Sequence, residues 1–261
     1  MIKTLVSIEV DLAASRAIRF ASQLNYLRHM EIYPVYVKET PPRELSIGSG
    51  WARHHWEREL VQQGKAEIME MISSEWEFSP TLKEPQVVWG DRDWELLKIM
   101  ETEQFEVFVD GERFEWTPAN LHRKLQSRLW QHFPGVIGIA RVLRKIERLL
   151  VLCTEDKGVQ PLVQKISHLW EGSSLPVALA CPRSASPDLA QEAAKAKEVL
   201  AQAGCQVSFE ADFPYFPELP APGFLRTYGL VALALNRDLR KDSPELDWLS
   251  QIKAPLLITL Y

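Results

Sequence analysis

The sequence contains one pattern of strand-like and helix-like segments twice. An apolar, β-branched run at 3–10 is followed by helical spacing at 12–29, and a similar apolar run at 148–153 restarts the order 145 residues later, since 148 minus 3 is 145. Short apolar runs of this kind are typical of buried parallel strands. Strands that alternate with helices predict parallel sheets with right-handed crossovers. We therefore predict an α/β, Rossmann-like protein of two tandem, doubly wound, five-stranded parallel-sheet domains, at 1–145 and 146–261.

The remaining elements follow from periodicity, β-branched runs and turn residues. In the first repeat we predict strands at 31–37, 86–89, 105–109 and 136–140, and helices at 51–76, 94–103 and 118–133. In the second repeat we predict strands at 176–181, 206–210, 230–235 and 255–261, and helices at 159–170, 187–203 and 243–252. The proline-rich stretches at 40–50 and 213–222 are predicted to be loops.

Composition narrows the class of protein further. The 261 residues are 46% hydrophobic and 25% charged, which is ordinary for a globular protein. A formal net charge of -5 argues against a surface built throughout for nucleic acid or for an anionic membrane. No apolar run is long enough for a membrane helix, and the chain opens at Met1 without the features of a signal peptide. We therefore expect a cytoplasmic protein with no membrane partner.

The cysteines and histidines show no pattern that is typical of a metal site. Cys153, Cys181 and Cys205 are widely spaced and include no Cys-x-x-Cys pair, so we predict buried core thiols. His54 and His55 adjoin on a predicted helix and point about 100° apart, so they cannot share an ion. We predict no metal site.

Three segments carry a resemblance to a known family. The segment at 90–111, GDRDWELLKIMETEQFEVFVDG, has a glycine after a strand, then a helix, then a strand that ends before another glycine. With 3–21, 253–260, the order of elements and the repeat length, it resembles the universal stress protein family in a tandem arrangement. The resemblance implies the fold of that family and a part in stress adaptation. It also implies pairing of the closing strands, which we expect between 136–140 and 255–260 of one chain, with a further homodimer left open.

Nucleotide-binding members of that family hold ATP at three points. These are an acid that ends strand one, a valine that ends strand two, and a loop of the form G-x2-G-x9-G-[ST] after strand four. The resemblance places them on Glu9, Val37 and Gly111 of this sequence. Glycines serve such loops because they let backbone N–H groups approach the phosphate oxygens.

The loop after Gly111 departs from that family pattern. Phe114 stands in the place of the second glycine, and Lys124 and Leu125 stand in the places of the third glycine and the hydroxyl. The corresponding loop of the second repeat, 235–241, contains no glycine. Since side chains at these points obstruct a backbone cradle, we expect that the ATP loop is lost and that no cofactor is bound. The alternative is a regulatory module that binds an adenine nucleotide or another anion through Glu9, Val37, Asp110, Gly111 and Arg113.

Acidic residues near the predicted strand ends are the best candidates for catalysis. Glu9, Asp11 and Asp110 lie where ligands bind in open parallel sheets. No nucleophile with an adjacent base accompanies them, and acids at strand ends commonly cap the next helix. We therefore predict a protein that is not an enzyme and has no catalytic residues.

Basic and aromatic residues indicate how a partner could bind. The segment 113–148 contains two acids, Glu115 and Glu147, and eight basic residues at 113, 123, 124, 128, 141, 144, 145 and 148. We interpret it as a solvated face plus an interdomain linker; the alternative is an RNA-associated protein, which would need exposed aromatics within the segment. Of the nine tryptophans, we predict that Trp51 and Trp116 are exposed. The leading hypothesis is a non-enzymatic stress-adaptation protein that acts through contacts with an unidentified protein partner.

Overall fold

Helices and strands alternate along most of the described chain. The computed structural model describes residues 1–25, 28–38, 51–182, 185–213 and 224–261. The strands are β1 (Ile2–Ile8), β2 (Met30–Lys38), β3 (Gln86–Trp89), β4 (Val107–Asp110), β5 (Val136–Ile139), β6 (Leu149–Leu152), β7 (Val177–Pro182), β8 (Val207–Phe213), β9 (Leu230–Leu235) and β10 (Leu256–Leu260). The α-helices are α1 (Leu12–Asn25), α2 (Trp51–Ile72), α3 (Arg92–Thr102), α4 (Pro118–Leu125), α5 (Arg128–His132), α6 (Asp156–Trp170), α7 (Pro187–Gln202) and α8 (Pro244–Gln251).

The described strands form one ten-stranded sheet in the order β3-β2-β1-β4-β5-β10-β9-β6-β7-β8. The β1–β5 side, here called the N-terminal half, and the β6–β10 side, here called the C-terminal half, are each parallel throughout. At the centre β5 and β10 pair antiparallel, with Gly138 opposite Leu257. A mostly parallel sheet with helices between its strands confirms the predicted α/β fold class.

Helices cover both faces of this sheet. On one face α1, α2, α6 and α7 bury apolar side chains such as Phe20, Ile68 and Trp170. On the other face α3, α4, α5 and α8 bury residues such as Leu96 and Leu249. Because both faces are covered, strands such as β6 and β9 are buried along their whole length and read as continuous apolar runs.

One predicted helix is wrong. The segment at 118–133 forms two helices, because Ser127 takes an extended conformation and its hydroxyl accepts a hydrogen bond from the backbone N of Trp130 at 3.3 Å. Leu121 and Leu125 in α4 and Leu129 in α5 are all buried. Their helical spacing continues across the break, and the apolar pattern therefore concealed it.

The other predicted elements are present, with boundaries that shift by a few residues. The segment at 222–227 contains a 3-10 helix at Phe224–Thr227. The predicted loop at 40–50 lies outside the described residues, as does the loop at 213–222 apart from Phe213, which ends β8.

The cysteines are buried and free, as predicted. Cys153 follows β6 and its backbone N donates to Ala180 O on β7 at 2.9 Å. This pairing brings it beside Cys181, and their hydrogen bond together with burial raises the pKa of the Cys153 thiol. In the part of the chain that the structure describes, no helix has both the length and the apolar character that crossing a membrane requires.

Candidate functional site

A buried carboxylate lies at the carboxyl end of β4, where open parallel sheets bind ligands. Asp110 has a fully buried side chain and accepts four hydrogen bonds. Arg92 Nη2 donates at 2.7 Å, Lys124 Nζ at 3.0 Å and Trp130 Nε1 at 3.0 Å. The fourth donor is the backbone N of Glu112 at 3.1 Å. We call these five residues the Asp110 network.

The two cations of the Asp110 network also pair with a second carboxylate, that of Glu112. Arg92 Nη1 lies 3.0 Å from Glu112 Oε2, and Lys124 also donates to Glu112. Arg92 Nη2 further donates to the Ser7 hydroxyl on β1 at 2.9 Å. The network therefore joins the ends of β1 and β4 to α3, α4 and α5.

Local structure places each cation of this network. Arg92 is the first residue of α3, and Asp91 caps that helix by accepting from the backbone N of Trp94 at 2.9 Å. Lys124 lies in the last turn of α4, whose N-terminus is capped by Thr117. Lys124 is 6% exposed, so its ammonium depends on the two carboxylates instead of water.

The charges in this network hold one another ionised. Burial alone would raise the pKa of the Asp110 carboxyl, but the charges of Arg92 and Lys124 outweigh burial and hold that pKa well below its usual range. Burial also opposes the charged form of Arg92, and the carboxylates of Asp110 and Glu112 raise its pKa nonetheless. The network is thus a set of ion pairs that is stable at neutral pH.

The predicted residues Glu9 and Val37 line one cleft of about 470 Å³, here called the Glu9 cleft, together with Lys38 and Arg92. Glu9 is half-buried, and burial, followed by the nearby charge of Glu112, raises its pKa. An additional anion in this cleft would therefore meet a carboxylate that already has a carboxylate neighbour.

The predicted residues Asp110, Gly111 and Arg113 line a smaller cleft of about 230 Å³, here called the Arg113 cleft. Arg16 and Arg141 also line it. The structure thus brings the predicted residues to two neighbouring clefts. Arg92 lines the Glu9 cleft and Glu112 lines the Arg113 cleft, and the ion pair between them lies where the two adjoin.

Gly111 has a structural role that does not depend on phosphate. Its backbone N donates to Ser7 O at 3.1 Å, and a Cβ added at Gly111 would lie 2.1 Å from that same oxygen. A side chain here would push β1 and β4 apart. The glycine that matches the family loop is therefore required by the close approach of two strands.

Phe114 and Lys124, the two residues predicted to obstruct a backbone cradle, pack on each other. Lys124 Nζ lies 5.5 Å from the centre of the Phe114 ring, which is cation–π distance, and Phe114 contacts Trp116 at 5.1 Å between ring centres. Phe114 lines the wall of the Arg113 cleft, which is open despite this side chain.

Of the two tryptophans that we predict to be exposed, Trp116 alone has a described side chain. Trp116 is half-buried, and its Nε1 donates to Leu249 O in α8 at 2.9 Å, so it joins the two halves instead of facing solvent. Trp130 is buried in the Asp110 network. Trp94, at the start of α3, is 49% exposed, while the side chain of Trp51 lies outside what the structure describes.

Most cations of the segment 113–148 are used within the molecule. Arg141 donates to Ser250 O and Ile252 O, and Arg144 donates to Leu225 O. The other contacts pair Lys145 with Glu147, Arg148 with Glu210, and Lys124 with the Asp110 network. The segment is largely a joint between the halves, which supports the linker interpretation over an RNA-binding groove.

The remaining candidates for chemistry have structural partners. Asp11 accepts from the backbone N of Ala14 at 3.3 Å at the start of α1. His55 lies 3.2 Å from Glu59. Within the described ranges, no three His, Cys, Asp or Glu side chains form a group that could hold a metal ion.

Sequence reasoning missed Arg92, Glu112 and Trp130 as members of this site. Arg92 lies within the segment 90–111 that carries the resemblance, immediately after the capping Asp91. Lys124 was recognised only as an obstruction. Its position beside Leu125 and three residues after Leu121, on the buried side of α4, was the available signal for a buried charge.

Comparison with solved structures shows which fold this arrangement belongs to. A universal stress protein from Archaeoglobus fulgidus DSM 4304 superposes with a TM-score of 0.63 at 12% identity, covering 99% of this chain and 98% of that one. A putative universal stress protein from Pseudomonas aeruginosa UCBPP-PA14 superposes with a TM-score of 0.53 at 14% identity, covering 99% and 92%. A functionally unknown protein from Pseudomonas aeruginosa PAO1 superposes with a TM-score of 0.54 at 13% identity, covering 99% of this chain and 92% of that one.

The sequence by itself matches no family model and no curated protein. The structural likeness extends over nearly the whole chain, so the protein has the fold of the universal stress proteins in a two-half arrangement. The resemblance read from the sequence is confirmed at this level.

Proposed function

We propose that this protein is a non-enzymatic member of the universal stress protein class that acts in stress adaptation through protein contacts and has lost ATP binding. The observation that supports this most is the Asp110 network. Its ammonium and guanidinium groups are bound to Asp110 and Glu112, the two carboxylates that flank Gly111, the residue matched to the first loop glycine.

Two physical arguments connect the network to the loss of ATP. A polyphosphate site needs backbone N–H groups or cations that are free to bind oxygen, and Arg92 and Lys124 would have to leave buried carboxylates to serve. Leaving Asp110 buried without its cations is strongly unfavourable. The raised pKa of Glu9 indicates that the neighbouring cleft already disfavours negative charge.

Nucleotide titration tests the proposal directly. We expect no change in melting temperature when ATP or ADP with Mg²⁺, or a cyclic nucleotide, is added, and no phosphate release from ATP. A ligand at 100 times its dissociation constant would stabilise the fold by about 2.7 kcal/mol, which is readily detected. Saturable stabilisation by ATP would contradict the proposal, and ATP hydrolysis would contradict its non-enzymatic part.

Binding of a small anion in the Arg113 cleft is the second candidate. The specific observation in its favour is that Arg16, Arg113 and Arg141 line one cleft beside Gly111. Arg113 is the exposed member of the three. If an anion binds there, sulfate or phosphate should stabilise the wild type, and Arg113→Met should abolish that stabilisation while Arg123→Met, also exposed, retains it.

Exposed apolar side chains near the Glu9 cleft support the protein-contact part of the proposal. Val10 is 48% exposed and Trp94 is 49% exposed, and both lie at the carboxyl edge of the N-terminal half. Aromatic residues of this kind are enriched at binding hot spots. A partner captured by the wild type should be lost with Trp94→Ala and kept with Phe78→Ala, a matched exposed control. Equal capture by both variants would remove this surface from the proposal.

A further inference from the structure

A cavity of about 420 Å³ lies between the two halves, at the amino ends of β4 and β5. The N-terminal half contributes Met100, Phe105, Phe133 and Val136 to its walls, and the C-terminal half contributes Leu169 of α6. Cavities of this size with mainly apolar walls and few polar groups are typical small-molecule sites. Because it lies at the opposite edge of the sheet from the Asp110 network, it is independent of the function proposed above.

Lys165 of α6 is the cation that faces this inter-half cavity. Its side chain is half-buried, and its Nζ donates to Gly135 O at 3.2 Å. Among the described residues it has no carboxylate partner, whereas Glu106, the acid on the cavity wall, lies 2.6 Å from His168 Nε2. Burial lowers the pKa of Lys165, since its ammonium lacks the counter-charge that would compensate for lost water.

The two halves differ at this cavity in an informative way. The 145-residue repeat sets α6 in correspondence with α1, so Lys165 corresponds to Phe20 and His168 to Gln23. Phe20 is 1% exposed and fills the core. The second repeat therefore has a cation at a position where the first has a buried ring.

The linker between the halves fills the equivalent space beside α1. Ile146 is buried there and its backbone N donates to Gln23 Oε1 at 3.1 Å. A Cβ added at Gly229, just before β9, would lie 2.2 Å from Lys145 O, so the linker packs tightly against the start of that strand. Beside α6, no described segment occupies the corresponding space, and the cavity is left instead.

We propose that the inter-half cavity binds a small monocarboxylate with an apolar body, such as a medium-chain fatty acid. The carboxylate pairs with the Lys165 ammonium, and the apolar chain packs against Phe105, Phe133 and Leu169. One ammonium matches one carboxylate charge, whereas a phosphate dianion would leave negative charge unpaired among apolar walls. Each methylene buried in the cavity should tighten binding about fourfold.

Calorimetric titration with hexanoate, octanoate and decanoate tests this proposal. We expect one molecule bound per chain, affinity that rises about fourfold per methylene, and amide NMR shifts at Gly135, Val136 and Leu169. Lys165→Met should weaken decanoate binding by about tenfold or more, since it removes a charge-assisted pair. Lys157→Met, an exposed lysine of the same helix, should leave it unchanged.

Decanol and the Lys165→Arg variant separate charge recognition from nonspecific apolar binding. Decanol should bind wild type and Lys165→Met equally, and Lys165→Arg should keep most of the decanoate affinity. Because a phenylalanine occupies the equivalent position in α1, we expect Lys165→Met to fold, and its circular dichroism and melting temperature check this. Absence of saturable decanoate binding, shifts that map elsewhere, or equal decanoate affinity in folded Lys165→Met would each overturn the proposal.

Discussion

A buried carboxylate such as Asp110 persists only where cations and N–H donors compensate for the water it has lost. Arg92, Lys124 and Trp130 provide that compensation. The Asp110 charge is therefore balanced by groups of the same chain and forms part of the internal structure. Arg92 and Lys124 are thereby paired with carboxylates inside the protein.

Lys124→Met should destabilise the protein by about 3 kcal/mol, because it leaves Asp110 and Glu112 with too little positive charge in a buried setting. Urea unfolding measures the loss. The control is Lys145→Met, which removes an exposed ion pair with Glu147 and should leave the unfolding midpoint unchanged. Similar midpoints for both variants would show that the Asp110 network contributes little to stability.

The pH dependence of stability should report the Asp110 carboxyl. Its pKa is lowered in the folded state, so the stability that it contributes is present above the unfolded-state value of about 3.9 and is lost as the pH falls toward the folded-state value. The difference in unfolding free energy between wild type and Asp110→Asn should therefore be constant near neutral pH. It should shrink below about pH 4, and a constant difference down to the acid limit would argue against the ion pairs.

Gly111→Ala should cost about 2 kcal/mol, because the new Cβ would lie 2.1 Å from Ser7 O and the strands cannot separate without losing hydrogen bonds. Gly172→Ala is the comparison. It has open space around it and a φ of 78°, so only backbone strain of about 1 kcal/mol is expected. Thermal unfolding of the two variants shows which substitution costs more stability. A smaller loss of stability in Gly111→Ala than in Gly172→Ala would contradict the packing explanation.

At the scale of single elements, caps decide where the site residues lie. Asp91 ends the turn after β3 and binds the first turn of α3, which sets the position of Arg92. Ser127 performs the same task for α5 and so determines the position of Trp130. The network therefore depends on side chains that are not themselves part of it.

Asp91→Ala should destabilise the protein by about 1 kcal/mol through loss of the α3 cap, and Asp91→Asn should retain most of the stability because asparagine also caps helices. Chemical denaturation measures both. If α3 positions Arg92, the Trp130 indole N–H resonance should also shift in Asp91→Ala. An unchanged stability and spectrum would mean that α3 is held by its packing alone.

Strands and long helices could be predicted from the sequence because burial on two faces leaves unbroken apolar runs, as in β6 and β9. The break between α4 and α5 could not be predicted, because the apolar residues keep their helical spacing across it. A single residue, Ser127, ends one helix and caps the next. Of the site, Gly111 was recognised through the resemblance and Asp110 through its position near the end of a predicted strand. The partners Arg92 and Trp130 were not, because pairing across different helices leaves no local sequence pattern.

At the scale of the whole molecule, the halves share one sheet and many contacts. β5 pairs with β10 at the centre. Side chains also cross the junction, as when Gln131 Nε2 donates to Arg237 O at 3.1 Å and Arg141 Nη1 donates to Ser250 O at 3.0 Å. Such contacts predict that neither half unfolds alone.

Calorimetric unfolding should therefore show one transition, with equal calorimetric and van't Hoff enthalpies. Leu257→Asp, which places a buried charge at the central strand pair, should lower the melting temperature of the whole molecule without splitting the transition. The exposed substitution Leu143→Asp is the control. Two separated transitions in the wild type would show that the halves are thermodynamically independent.

The meeting of β5 and β10 within one chain has an evolutionary consequence. A homodimer assembled around such a pair must carry the same amino acid at both equivalent places, since both copies are translated from one coding sequence. When the two halves belong to one chain, each half mutates separately. At one pair of equivalent positions this chain has the buried ring of Phe20 in the N-terminal half and the ammonium of Lys165 in the C-terminal half. One half can therefore remain under selection for stability while the residues of the other half diversify.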